Sequence, residues 1–466
     1  MRAIHTKTIL IIATIISWSV FITCSFVIGR HPMGDFSPVY LASKLTNYSR
    51  ATRLHMYDHS SKQFNATDSK IIKRLAKKEG IIADTYTPYV YPPFFAWQMK
   101  PLTYLQYWDA RIIMLILLFF SITGGTYFSY KAMEYQPSLK WFLLLAPILL
   151  LCFFPVHETI HLGQSTALVL LLLALGLYLI HRNRFVWAGI CFGYCVCLKI
   201  SPLLIVFALT ACGLFTTILS ALATVALLIG GGALFFGSDL TARYLSFVAE
   251  ISKKGTMPAW NNLSIQGTLL RFTRPLSGIV EWVQQPVPLH LMVIEKAVLF
   301  ILFAAGSATI AYYVRRGKEN SLKDKSAINY VFSFALILML LSAPISWNHY
   351  HLYTIIPMML VLSELLKIRE KKFRIYLIIT LVLSYLLMGI DPKFFAFFIY
   401  EGESMQIDVG LGILVFSIGI FGILLLYCLL CISLIIRTRR TATPQQGEIH
   451  AQQHDQTMDS ERADYS

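Results

Sequence analysis

Asp35 stands in the run Gly34-Asp35-Phe36-Ser37-Pro38, a few residues past an apolar stretch that ends near Ile28. A carboxylate held there can take a proton from an attacking hydroxyl group. Four other polar clusters lie between apolar stretches: YTPYVYPPFF at 86–95, HETIHLGQS at 157–165, NNLSIQGTLLRF at 261–272 and SWNHYH at 346–351. Lys199 interrupts one more apolar stretch within LKISP. The side chains divide by task. Lys199, Arg271 and His349 suit a phosphate, while Gln164, Asn261, Asn262 and Asn348 offer amides to hydroxyl groups. Tyr89, Tyr91, Phe94 and Trp347 offer rings for a sugar face or an apolar chain. Such groups are costly near a bilayer and usually line a cavity or hold a ligand. As a set they suit a glycosyl group carried on a lipid phosphate. A rival pattern is His157-Glu158-x-x-His161, formally that of zinc proteases. Pro155 precedes it and Gly163 closes it, leaving little helix to hold both histidines.

The elements that must position these residues are membrane helices. The 466 residues are 56% hydrophobic and only 14% charged. Apolar runs of spanning length occupy 8–28, 110–130, 164–180, 216–237, 291–314, 327–343, 350–366, 374–390 and 409–436. A shorter run at 141–154 contains Pro147, and Lys199-Ile200-Ser201-Pro202 divides 185–215 into two short helices, about 186–198 and 202–215. The chain is therefore expected to be an all-α polytopic membrane protein with about twelve spans. The first run, with two basic residues ahead of it and no small-residue cleavage site, reads as a retained helix.

Short basic loops sort to one side. They carry Lys131 and Lys140, Arg182 and Arg184, Arg315 to Lys325, Lys367 to Arg374, and Arg437 to Arg440, which makes that side cytoplasmic. The net charge of +15 then reflects these loops, anionic lipid and phosphate rather than nucleic acid. Two long segments, 29–108 and 238–290, fall outside, where long ordered loops tend to be functional. Residues 1–440 form one transmembrane domain, and 441–466 read as a disordered cytoplasmic tail. The eight cysteines all lie in apolar stretches and read as packing residues. There is neither a soluble domain nor a nucleotide-phosphate loop.

Within the first outer segment, Ser37 reads as an N-cap and Pro38 as the first residue of a helix of about ten. The positive end of that helix favours an ionised Asp35. Farther on, TDSKIIKRLAKKEG reads as a basic amphipathic helix ending at Gly80 and lying among lipid headgroups, with a solvated helix packed on the loop as the alternative.

Taken in order, GDFSPVYLA, YVYPPFFAWQMKPL, HLGQSTALVLLLLAL, AGICFGYCVCLKISPLLI, NNLSIQGTLLRF and LSAPISWNHYHL resemble glycosyltransferase family 87, the polyprenol-phosphate-mannose-dependent mannosyltransferases of the GT-C superfamily. The resemblance spans about 34–352. It implies a GT-C fold in the bacterial inner membrane with its site on the periplasmic face. It also implies an inverting transfer of a sugar, usually mannose, from a polyprenyl phosphate to a lipid or glycan hydroxyl, with Asp35 as the base. Tyr91, Gln164, Lys199, Asn261, Asn262, Arg271, Trp347, Asn348 and His349 fall in the motifs that line the family's pocket. Neither a cofactor nor a metal is required, since fixed cations can hold the leaving phosphate. Val39 stands where the family usually has an aromatic residue before Tyr40. A secondary transporter and an O-antigen ligase-like transferase are the competing classes; no repeated halves of the transporter kind are found.

Overall fold

The computed structural model describes residues 2–59, 66–81, 86–273, 283–316, 321–391 and 409–442. Helices account for nearly all of its regular structure. Among the described residues β pairing is confined to two isolated bridges, Thr256 with Gln285 and Asn262 with Trp347. The chain is thus an all-α polytopic membrane protein. The expected tail at 441–466 lies almost entirely outside the described residues.

Among the described residues seven helices are long and apolar enough to cross a bilayer: Lys7–Ile28, Tyr107–Ala132, Phe215–Phe236, Leu289–Arg316, Lys325–Ser342, Lys371–Gly389 and Ile418–Arg440. Leu139–Leu151 and Phe154–Leu162, bent by 66°, make an eighth if counted as one span. The difference from the expected dozen lies in the short apolar elements. Thr166–His181 has 16 residues, which at 1.5 Å per residue reaches about 24 Å, less than the roughly 30 Å of hydrocarbon. Phe185–Leu198 and Leu203–Ala208 are shorter still, and the latter continues as a 3-10 turn at Leu209–Cys212. The run at 350–366 begins as a 3-10 turn, Asn348–Thr354, before the 11-residue helix Ile355–Leu365. Each is apolar, as expected, but too short as a single helix to meet the length of a span.

Burial separates the centre from the rim. Lys325–Ser342 is 83% buried, whereas Leu289–Arg316 is 11% buried and presents Phe300, Ile301 and Phe303 outward. A helix apolar on all sides fits either place, and neighbours decide which. At the end of the molecule opposite Asp35, Arg437 pairs with Glu134 at 2.8 Å and with Glu364 at 2.9 Å, while Lys367 bonds Glu364 at 2.7 Å. This cluster ties the last helix to the loop after Tyr107–Ala132 and to the end of Ile355–Leu365.

The described parts of the two long segments, 29–108 and 238–290, fold onto the bundle. Phe36–Leu45 is buried along nearly its whole length, with Phe36 and Tyr40 packed on Tyr107. It starts two residues earlier than expected: Asp35, not Ser37, is the N-cap residue. The basic helix Lys70–Lys78 buries Ile72, Leu75 and Ala76 against the protein. Glu79 at its end accepts a hydrogen bond from Tyr40 at 2.8 Å and pairs with Lys44 at 3.2 Å. Its apolar stripe is therefore spent on packing, and only the lysines and arginine face outward, contrary to the headgroup reading. Ser238–Lys253 follows Phe215–Phe236 with Gly237 alone between them, at φ +109°, a conformation that side chains disfavour.

Candidate active site

Asp35 is placed by a close crossing of two chains. Its backbone N–H donates to Leu162 O at 2.9 Å, where Phe154–Leu162 ends. The cap of that helix, Gly163, has φ +72°, and a Cβ there would lie 2.7 Å from the Cβ of Phe36 and 2.8 Å from that of Met33. Only glycine allows this approach. The crossing brings Gln164 beside Asp35, and the amide donates to the carboxylate at 2.6 Å. Tyr91 in turn donates to Gln164 at 3.4 Å and accepts from Ser165 at 3.0 Å. The Asp35 carboxylate makes no capping bond to its own helix, so it is left to face the cavity.

That cavity has a volume of about 450 Å³. Asp35, Tyr91, Gln164, Lys199, Asn261, Trp347 and His349 all line it. Seven of the ten residues expected at a site thus surround one space. Lys199, the cap residue after Phe185–Leu198, extends its ammonium over the Tyr350 ring at 3.6 Å from the centroid and donates to Thr166 at 3.0 Å. The ring face and the hydroxyl hold a cation that would otherwise sit unsatisfied in an apolar setting.

The electrostatics are those of a poorly solvated site. Burial pushes the Asp35 carboxyl above its ordinary value; His349, the Gln164 hydrogen bond and Lys199 pull it back, and Glu158 adds to the rise. The helix end, expected to favour ionisation, is outweighed. Burial likewise pushes the Lys199 ammonium well down, opposed by Asp35. His349 is pushed well down by burial and by Lys199, with Asp35 acting the other way. Burial thus works against the charge of all three groups, and Asp35 opposes it for Lys199 and His349.

The other three expected residues do not line the cavity. Arg271 is fully buried. Its guanidinium donates to Ala259 O, to Asn262 O at 3.1 Å, to Thr268 at 3.3 Å and to Ser417 at 3.1 Å. It anchors the 258–262 loop, with its donors committed to carbonyls and hydroxyls. The Asn262 side chain donates to Met257 O at 2.9 Å and accepts from the backbone N–H groups of Ser264 and Ser346, at 3.2 and 2.8 Å. Asn262 therefore stitches NNLS to SWNH, and with them sets Asn261 and Trp347 beside each other at the cavity. Asn348 is buried outside the cavity lining, and neither of its side-chain amide atoms has a hydrogen-bond partner among the described residues.

The structure adds residues that were not singled out. Tyr244, Phe247, Val248, Ile251 and Ser252, all on Ser238–Lys253, form a largely apolar wall, and Tyr350 completes the floor around Lys199. Amphipathic spacing on 238–253 was a signal for one buried face, though not for what it faces. Glu158, read from sequence only within the His-Glu-x-x-His pattern, places Oε2 3.5 Å from His349 Nδ1. The two histidines of that pattern diverge: His157 bonds Leu151 O, and the His161 ring lies 5.4 Å from that of His31.

The family model of glycosyltransferase family 87 matches residues 89–344. No curated protein and no solved structure matches the chain. The matched stretch holds Tyr91, Gln164, Lys199 and Asn261 of the cavity, while Asp35, Trp347 and His349 lie outside it and reach the same space through the fold. With more than half of its length matched and a bundle of membrane helices around the site, the chain belongs to glycosyltransferase family 87 and is a membrane glycosyltransferase.

Proposed function

We propose that the enzyme moves a sugar, mannose in the first instance, from a polyprenyl phosphate to a hydroxyl group of a lipid or glycan, at the extracytoplasmic face of a bacterial inner membrane. The observation that carries this reading is one cavity with a carboxylate, Asp35, and two cationic or protonatable groups, Lys199 and His349, on its polar side and an apolar helix on the other. Basic residues at the opposite ends of the helices, Lys131, Arg182, Arg184 and Lys367 among them, support the orientation.

In this mechanism Asp35 accepts the proton of the acceptor hydroxyl as its oxygen attacks the anomeric carbon. The bond from that carbon to the phosphate oxygen breaks on the opposite face, so the configuration inverts. The phosphate gains a second negative charge as it leaves, and Lys199 with His349 offsets it in a site that water reaches poorly. Burial raises the proton affinity of Asp35, which makes it a stronger base once ionised, and Gln164 orients it. Tyr91 and Trp347 suit the sugar face, Asn261 its hydroxyls, and the Tyr244–Ile251 wall the first isoprene units.

The test is transfer by the purified enzyme in detergent, with labelled mannosyl phosphoryl polyprenol and a lipid extract as acceptor. Asp35→Asn is expected to lower turnover by at least about 10²–10⁴, the usual worth of a positioned base. Near-normal turnover by that variant rejects Asp35 as the base. Absence of transfer from any polyprenyl phosphate sugar by the wild type rejects the donor class.

A further inference from the structure

Behind the cavity, Glu158 faces His349 from a different element. Glu158 lies on Phe154–Leu162, whose end also fixes Asp35, and His349 on the turn Asn348–Thr354 packed against that helix. Glu158 is 8% and His349 3% exposed, so neither is a surface group. The 3.5 Å separation is that of an ion pair rather than a short hydrogen bond. Neither His349 nitrogen has a hydrogen-bond partner among the described residues, although the ring lines the cavity. A buried imidazole with a carboxylate on one side and a ligand cavity on the other is poised to gain a proton when an anion arrives.

We propose that Glu158 is a positioning residue for His349: it holds the Nδ1–H edge of the ring, turns Nε2 to the donor phosphate, and keeps the ring protonated while that phosphate is bound. The inference rests on the transferase reading above and names a second carboxylate with a task different from that of Asp35. Without a donor, burial and Lys199 favour the neutral ring. The donor brings a phosphodiester with one fixed negative charge, and Glu158 supplies the other half of an anionic sandwich. The proton arriving on His349 comes from solvent as the donor binds. It offsets the charge that grows on the phosphate oxygen as the glycosidic bond breaks, and it returns to solvent when the prenyl phosphate leaves. Asp35 independently receives the acceptor proton, so protons balance over the cycle.

The charged and titratable groups facing His349 are Asp35, Lys199, Glu158 and His351, with the Tyr350 ring edge-on at a centroid distance of 4.8 Å. Of these Glu158 touches neither substrate in the proposed mechanism; changing it leaves the Asp35 and Lys199 side chains present, and its effect on Asp35 reads out on the acid limb rather than the alkaline one.

The experiment is the pH dependence of kcat/KM for mannosyl phosphoryl polyprenol in detergent, with thermal unfolding read alongside. Loss of the imidazolium gives an alkaline limb. An opposite charge within about 4–6 Å is worth roughly 1–3 pH units. In Glu158→Gln the limb is therefore expected to move to lower pH by about one unit or more, with KM for the donor rising more than kcat falls. Glu158→Asp, which withdraws the carboxylate by one methylene, is expected to place the limb between the two and serves alone if the glutamine variant does not fold. In a His349→Gln background, Glu158→Gln is expected to leave the alkaline limb where it is and to move only the acid limb downward, because Glu158 raises the Asp35 carboxyl. A limb that ignores Glu158 in an active, folded enzyme overturns this inference alone, as does the same shift in the absence of His349, which would assign the limb to Lys199. A wild type that fails to use the donor overturns both this inference and the donor reading.

Discussion

At the scale of single residues, the site is a set of groups whose charges are mutually dependent. Because burial raises the Asp35 pKa in the folded state above its unfolded value, folding with the ionised carboxylate costs free energy at neutral pH. That cost disappears as pH falls below the ordinary carboxylate range. Asp35→Asn is thus expected to unfold at the same temperature as the wild type or higher, while losing turnover; calorimetry or fluorescence unfolding beside the transfer assay checks this. Under the proposed mechanism the same dependence sets the acid limb of the rate. Lys199 lowers the proton affinity of Asp35, so Lys199→Met is expected to move the acid limb upward and to weaken donor use, seen as a higher donor KM. Arg271 illustrates where residue type misleads. An arginine near amides and histidines suits a phosphate on paper, yet its partners here are Ala259 O, Asn262 O, Thr268 and Ser417. Each carbonyl orphaned by Arg271→Met costs about 1–3 kcal/mol. That variant is expected to unfold at clearly lower temperature while its donor KM stays near wild type, the reverse of a phosphate ligand.

At the scale of elements, two crossings make the site: Gly163 against Met33 and Phe36, and NNLS against SWNH through Asn262. Gly163→Ala forces a Cβ into backbone-adjacent atoms at a φ of +72°, and strain of this kind alone costs about 1–3 kcal/mol. The expected outcome is lowered stability and a Gln164–Asp35 contact that no longer forms, read as loss of turnover greater than the loss of folded protein. Why some of this was legible in the sequence follows from cost. Asp35, Gln164, Lys199 and His349 are polar groups at the ends of apolar runs, and such groups need a reason. The Tyr244–Ile251 wall was not legible because an apolar face at helical spacing looks the same whether it meets core or cavity. Glu158 was hidden for another reason: its partner lies 191 positions later, and no local pattern joins them. The N-cap falls at Asp35, two residues before the expected Ser37, because Ser37-Pro38 is a common helix opening that the tertiary crossing at Leu162 overrides.

For the whole molecule, hydropathy found the apolar segments but not how they divide into long and short helices. Thr166–His181 and Phe185–Leu198 are apolar yet short, and they end at the level of the cavity with Ser165 and Lys199. Short helices are what place polar residues at that depth. Sidedness is checked by labelling in a cysteine-free background with an impermeant thiol reagent on intact cells. Tyr104→Cys, on the first outer segment and 82% exposed, is expected to label from outside, and Arg184→Cys only after permeabilisation. The reverse pattern would invert the topology.

One junction links that architecture to the bilayer itself. Phe215–Phe236 faces lipid with Leu227, Leu234 and Phe235, and a single glycine, Gly237, separates it from the helix carrying Tyr244, Phe247 and Ile251. A tilt imposed on the lipid-facing rod by a thinner or thicker membrane has no linker in which to dissipate. Reconstitution in vesicles of increasing acyl length should therefore give a turnover optimum at one thickness, with flexible residues inserted after Gly237 flattening that optimum.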